Sequence, residues 1–172
     1  MRWTESGSGT GRVVVGVSGS PASLAALRVA AEEARRGRRV LVAVIAWEPP
    51  EGETLYLRHP DREWARHWWA VARTRLDRAF DEVFGGAPPG VRTERRVIRA
   101  HPDRALSELA ARPDDLLVLG TRPGRNRPNR THRRVRSRTT CPILTVPAPA
   151  VPRRVRRALR KMTAEDFALA GE

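Results

Sequence analysis

The chain has one cysteine, Cys141, and one lysine, Lys161. A single cysteine excludes a disulfide framework and any zinc site built on thiolates. No apolar run approaches the roughly 18 residues of a membrane span. Met1 to Gly11 holds no apolar segment, so no signal peptide is expected and the cytoplasm is the default compartment. The nucleophile, phosphate-loop and zinc signatures G-x-S-x-G, Walker A and H-E-x-x-H are all missing, so nothing points to catalysis. His59, His67, His101 and His132 show no metal-ligand spacing with a third ligand nearby. Carboxylate pairs such as Glu32-Glu33 and Asp114-Asp115 read as solvated groups on a helix surface and at a strand entrance.

What is present is charge of one sign. Of 172 residues, 33 are Lys or Arg and 19 are Asp or Glu, for a formal net charge of +14. Apolar residues still make up 40% of the chain, enough for a core, which excludes wholesale disorder. The excess charge is local. Leu116 to Ala164 contains 14 basic residues and no acid, and the other 19 basic residues balance the 19 acids. Coding bias accounts for Arg over Lys, but not for acids missing from one segment. The segment therefore suggests an anionic ligand or nucleic acid, and a solvated loop is the alternative. It has no aromatic side chain between Arg122 and Arg138, which argues against stacking on single-stranded bases.

The organisation follows from periodicity. Val13 to Val17 is a buried strand. Ser20 caps, and Pro21 opens, an Ala/Leu-rich helix to Arg36, ended by Gly37. Val40 to Ile45 is a second strand. Glu48 to Pro60 is irregular, broken by Pro49-Pro50 and Pro60. Asp61 then caps a long helix to about Phe84 whose apolar side is Ala65, Trp69, Ala72, Leu76, Phe80 and Val83. Val91 to Arg99, Leu116 to Leu119 and Ile143 to Val146 are further strands, and Pro102 to Ala111 is a helix. Alternating strands and helices predict an α/β fold with a parallel sheet covered on both faces. Ligands in such sheets sit beyond the carboxyl ends of the strands where strand order reverses, which brings Ser18 to Ser20 and Gly120 to His132 forward. Gly7, Gly9 and Gly11 precede the first strand and are set aside as linker.

Five segments in this order resemble the universal stress protein family: RVVVGVSGSP (Arg12 to Pro21), VLVAVIAW (Val40 to Trp47), RRVIRAHPDRAL (Arg95 to Leu106), LLVLG (Leu116 to Gly120) and CPILTVP (Cys141 to Pro147). The resemblance covers Arg12 to Pro147. It implies a Rossmann-like, five-stranded parallel sheet in order 3-2-1-4-5, a homodimer paired through the last strand (Ile143 to Val146), and a binding or regulatory role in stress adaptation without turnover. Many members hold ATP with an Asp after the first strand and a G-x-x-G…G-[ST] pattern after the fourth, whose glycines let backbone N–H groups approach phosphate.

Set against that pattern, Ser18 stands at the Asp, as a ribose or base contact or as a turn residue of a vacated site. Gly120 fits the first glycine. Pro123 takes the second, with Gly124 one place late, and Asn129 and Arg130 fall at the G-[ST] pair. The interval from Gly120 to Asn129 is about four residues short of the pattern. Proline offers no N–H, so the usual adenine-nucleotide site is expected to be degenerate and no cofactor is expected, with ATP the candidate that the family suggests. Arg122, Arg125, Arg127 and Arg133 are then candidate anion ligands, guanidinium forks in place of amides. Nucleic acid bound through residues 122–161 is the other alternative.

The expected division is a leader at 1–11, a domain at 12–147 and a basic helical tail at 148–172. Val151, Val155, Leu159 and Met162 form one stripe on that tail, for docking on the domain or a partner copy. The family's fourth helix falls at about Arg130 to Arg138, where Val135 is the only large apolar residue and gives a sheet face little cover. Trp69 is expected to pack on the sheet, with Trp64 and Trp68 meeting the Glu48 to Pro60 loop. Cys141 reads as a small buried hydrophobe, and His101 as structural.

Overall fold

The computed structural model describes residues 11–121 and 130–150. The leader before Gly11, the stretch 122–129 and the tail from Val151 lie outside the described residues. The elements are β1 (Val13–Gly16), α1 (Pro21–Arg36), β2 (Leu41–Trp47), α2 (Glu53–Arg58), α3 (Arg62–Phe84), β3 (Thr93–Arg99), α4 (Pro102–Leu109), β4 (Leu116–Thr121), α5 (Arg130–Arg136) and β5 (Ile143–Pro147). The strands form one sheet in order β3-β2-β1-β4-β5, and every pairing is parallel. The expected architecture is the one observed.

Strand alternation sorts the core into two layers. Val13, Val15 and Val17 face α1 and α3, where Leu27, Leu76 and Phe80 are fully buried. Val14, Val42, Val44, Leu117 and Leu119 face α4 and α5, with Leu106, Val135 and Cys141. Strands covered on both faces read as continuous aliphatic runs, which is why VVV and LVAVI were legible as strands. β3 and β5 are the sheet edges. β3 carries Glu94, Arg95, Arg96 and Arg99, and β5 carries no charge.

Helix starts follow their caps. The Ser20 side chain accepts from the Ser23 N–H, and Pro21 occupies the first turn of α1. Asp61 accepts from the N–H groups of Glu63 and Trp64 at α3, which ends on Gly85 in the left-handed conformation. The first expectation to fail is the irregular Glu48–Pro60 stretch, because α2 forms within it. Tyr56 of α2 is buried beneath the Arg99 guanidinium and donates its hydroxyl to the Asp61 carbonyl.

The second is Trp69, which is 47% exposed. A 23-residue helix spans about 34 Å, whereas seven residues of β2 span about 23 Å. The helix is longer than the strands it covers, and its buried residues begin only at Ala72, followed by Leu76, Ala79 and Phe80. Trp64 meets the preceding loop as expected, donating its Nε1–H to Glu51 (3.2 Å).

The third is Asp115, which is not solvated. It is 1% exposed and accepts from the Arg12 backbone N–H (2.8 Å), the Arg12 guanidinium (3.2 Å) and the Arg112 N–H (3.2 Å). The same guanidinium also donates to the Leu109 carbonyl (2.6 Å). Burial pushes the Asp115 carboxyl up, but these N–H donors hold it below the usual carboxylate range. Cys141 is buried as expected, and burial raises its thiol pKa.

Candidate functional site

Strand order reverses between β1 and β4, and a cleft of about 730 Å³ opens there, at the carboxyl ends of the strands. Its floor is Gly16 at the end of β1 and Val17 after it, Val44 to Ala46 of β2, and Leu119 to Thr121 of β4. The first turn of α1 forms one side through Ser20, Ala22 and Ser23. α3 contributes Arg75, and α5 contributes Thr131, His132 and Arg136.

Gly120 is needed here for a packing reason. A Cβ at this position would lie 2.3 Å from the Ala22 carbonyl oxygen and 2.8 Å from the Ser23 nitrogen. The end of β4 and the first turn of α1 touch backbone to backbone. Only a residue without a side chain lets α1 start where its free N–H ends border the cleft.

Hydroxyls order the α1 entrance. Ser18 Oγ–H donates to Ser20 Oγ (3.0 Å), and the Ser18 N–H donates to Ser23 Oγ (3.2 Å). Ser23 in turn donates to the Ser20 carbonyl (2.9 Å). Ser18 is exposed and lines the cleft, so a ligand can reach it.

α5 is held in place mainly by polar ties. Val135 is fully buried, the single apolar anchor that the sequence offers. A His132 Nε2 contact to the Gly120 carbonyl (3.1 Å) joins α5 to the end of β4. Arg134 and Arg138 both reach Asp103 Oδ2 at 3.6 Å. Asp103 is 2% exposed, next to His101 at the start of α4, and accepts from the Arg104 N–H (2.8 Å). Burial raises the Asp103 carboxyl pKa, but contact with His101, the Arg104 N–H and Arg138 leaves it lowered overall. His101 is structural, as expected: it caps α4 and faces this carboxylate.

The expected site residues therefore divide. Ser18 and Gly120 come together on the cleft. Arg130 and Arg133 are exposed on α5 and do not line it. Gly124, Asn129, Arg122, Arg125 and Arg127 lie outside the described residues. Of the basic segment, Arg134 and Arg138 face a buried acid, so its described part is not one continuous surface for a polyanion.

The sequence reading missed Arg75 and Arg136. Arg136 lies in the acid-free basic segment but outside the anion candidates that the family pattern brings forward. Arg75 sits three residues after the buried Ala72, at the border of the α3 apolar stripe, a placement that could have marked it. Among the described residues, neither arginine makes an ion pair. No described residue lining the cleft is Asp or Glu.

A family-wide sequence profile described as the universal stress protein family matches residues 9–147. A comparison with curated proteins finds no match. Among solved structures, a universal stress protein in complex with cAMP matches with a TM-score of 0.57 at 25% identity, over 83% of this chain and 100% of that one. A universal stress protein from Archaeoglobus fulgidus matches with a TM-score of 0.58 at 20% identity, over 79% and 93% of the two chains. One from Lactobacillus plantarum matches with a TM-score of 0.50 at 23% identity, over 80% and 97%. The last two are likenesses of fold.

Proposed function

The chain belongs to the universal stress protein family, and from that premise we propose that it is a binding protein of stress adaptation whose cleft holds a small adenine nucleotide without turning it over. One observation carries the reading. The cleft at the strand-order reversal has the volume of a small-ligand site, and its charged lining is cationic, with Arg75 on α3 and Arg136 on α5. The start of α1 adds the positive end of a helix dipole. The related protein solved with cAMP supports the ligand class.

The phosphate grip differs from the family pattern in this reading. With Pro123 and Asn129 at glycine positions and Ser18 at the Asp, the glycine-built site is degenerate, and guanidiniums take over the phosphate. Ser18 offers a hydroxyl where the pattern has a carboxylate, so selection of adenine over other bases is weak. Binding without hydrolysis is supported by the described lining, which holds no carboxylate to serve as general base, and by His132 Nε2, which is engaged by the Gly120 carbonyl. The binding unit is residues 12–147, with the leader 1–11 and basic tail 148–172 outside it. Pairing of two copies is assigned to the uncharged edge strand β5.

Isothermal titration with AMP, cAMP and ATP at moderate salt tests this. We expect one site per chain, weaker in Arg136→Ala, and ATP recovered intact after incubation. No heat and no thermal stabilisation with any adenine nucleotide would remove the reading.

A further inference from the structure

Phosphates need compensating positive charge, which comes either from a bound divalent cation or from the protein's own cationic side chains and helix N-termini. Mg²⁺ demands six oxygens in near-ideal octahedral geometry, and nucleotide sites usually fix it with one or two carboxylates. This cleft is equipped only for the second solution. Its described lining has no Asp or Glu. The sequence from Leu116 to Ala164, which spans β4, α5 and β5, has none either.

Asp77 and Asp103, acids on or beside the helices that carry the two arginines, already have partners. Asp77, two residues after Arg75, binds Arg95 (2.7 Å) and Arg73 (3.0 Å). Asp103, beside α5, faces His101, Arg134 and Arg138. Arg75 and Arg136 thus face the cleft with no described acid to neutralise them, and they come from helices on opposite faces of the sheet.

We propose that the cleft takes its nucleotide as the metal-free anion, with Arg75 and Arg136 supplying from two walls the positive charge that Mg²⁺ would otherwise bring. The proposal rests on the nucleotide reading and sharpens it. A Mg²⁺-bound nucleotide arrives with less negative charge and with a cation that meets two guanidiniums and no carboxylate. Like charges at close range repel, more strongly in a partly enclosed site than in water. Binding of Mg²⁺ and of protein to the same nucleotide is then negatively coupled, and the coupling is reciprocal.

The experiment is titration of ADP into the full chain, once in EDTA and once in excess Mg²⁺ at matched ionic strength. The expected dissociation constant is on the order of tenfold weaker in Mg²⁺. The double variant Arg75→Gln/Arg136→Gln should bring the two values together, with its fold checked by thermal melting. Arg28→Gln/Arg62→Gln, which removes the same charge from exposed positions off the cleft, should keep the preference.

Equal or tighter ADP binding in Mg²⁺ overturns the proposal, as does a control variant that loses the preference equally. If ADP binds in neither buffer while AMP or cAMP binds, this inference fails and the nucleotide reading stands. If none of the three binds, both fail.

Discussion

Gly120→Ala isolates the contact that joins the fold to the cleft. The added Cβ would sit 2.3 Å from the Ala22 carbonyl oxygen, 2.4 Å from its carbon and 2.8 Å from the Ser23 nitrogen. Ordinary contact begins near 3.4 Å, so the two backbones must part by about 1 Å. Neither side can yield alone. β4 is hydrogen-bonded to β1 and β5, and α1 is packed through Ala22, Ser23, Ala26 and Leu27, all buried.

Overfilling a packed site costs about 1–3 kcal/mol, and a backbone-on-backbone clash belongs at the upper end. A loss of about 3 kcal/mol lowers the melting temperature by roughly 6–12 °C in a chain of this size. Differential scanning calorimetry reads the shift, and urea melts read the free energy. Gly16→Ala is the comparison: the nearest atoms to its Cβ belong to the Leu106 side chain, at 3.3 Å, which can shift by a few tenths of an ångström, so its loss should stay near about 1 kcal/mol. Displacing α1 also carries Ser18 and Ser20 out of register with the cleft, so nucleotide affinity should fall with stability. A Gly120→Ala melt within 2 °C of the parent would refute the packing argument.

Asp115→Asn should cost about 2–4 kcal/mol by unpairing the buried Arg12 contact, read by urea unfolding. Because the Asp115 carboxyl titrates lower in the folded chain than in the unfolded one, its contribution is present above the unfolded value and is lost as pH falls through the folded one. The variant should therefore lose less stability on acidification than the parent, in melts run from pH 6 down to pH 2. Leu76→Ala, at a fully buried position, should cost about 2–5 kcal/mol. Asp103→Ala should speed amide exchange across residues 132–138 while leaving β1 protected, because α5 has little else to hold it. Trp69→Ala should stay within about 0.5 kcal/mol, since the ring leaves an exposed overhang.

Local features carried most of the fold. Val13 to Val15, Leu41 to Ile45 and Leu117 to Leu119 are buried runs bounded by turns, and Ser20-Pro21 and Asp61 are caps whose donors lie within three residues. What failed depended on distant partners. The burial of Asp115 is fixed by Arg12, 103 residues away. The exposure of Trp69 depends on where the sheet ends, which the period of α3 does not encode. The site was legible where it followed strand ends, at Ser18 and Gly120. Arg75 and Arg136 were not, because each reaches the cleft from a helix whose position is set by tertiary packing.

The two sheet edges are unequal. β3 bears Glu94, Arg95, Arg96 and Arg99, the kind of charge that discourages strand addition. β5 bears none, leaves Leu144 36% exposed, and stops at Pro147, which has no N–H to extend a ladder. A molecule with one receptive edge has a valency of one for strand pairing. Two copies joined β5 to β5 occupy both receptive edges at once and leave only charged ones outside. In the proposed β5-to-β5 pairing, the arginines of β3 would oppose the addition of further copies at the outer edges.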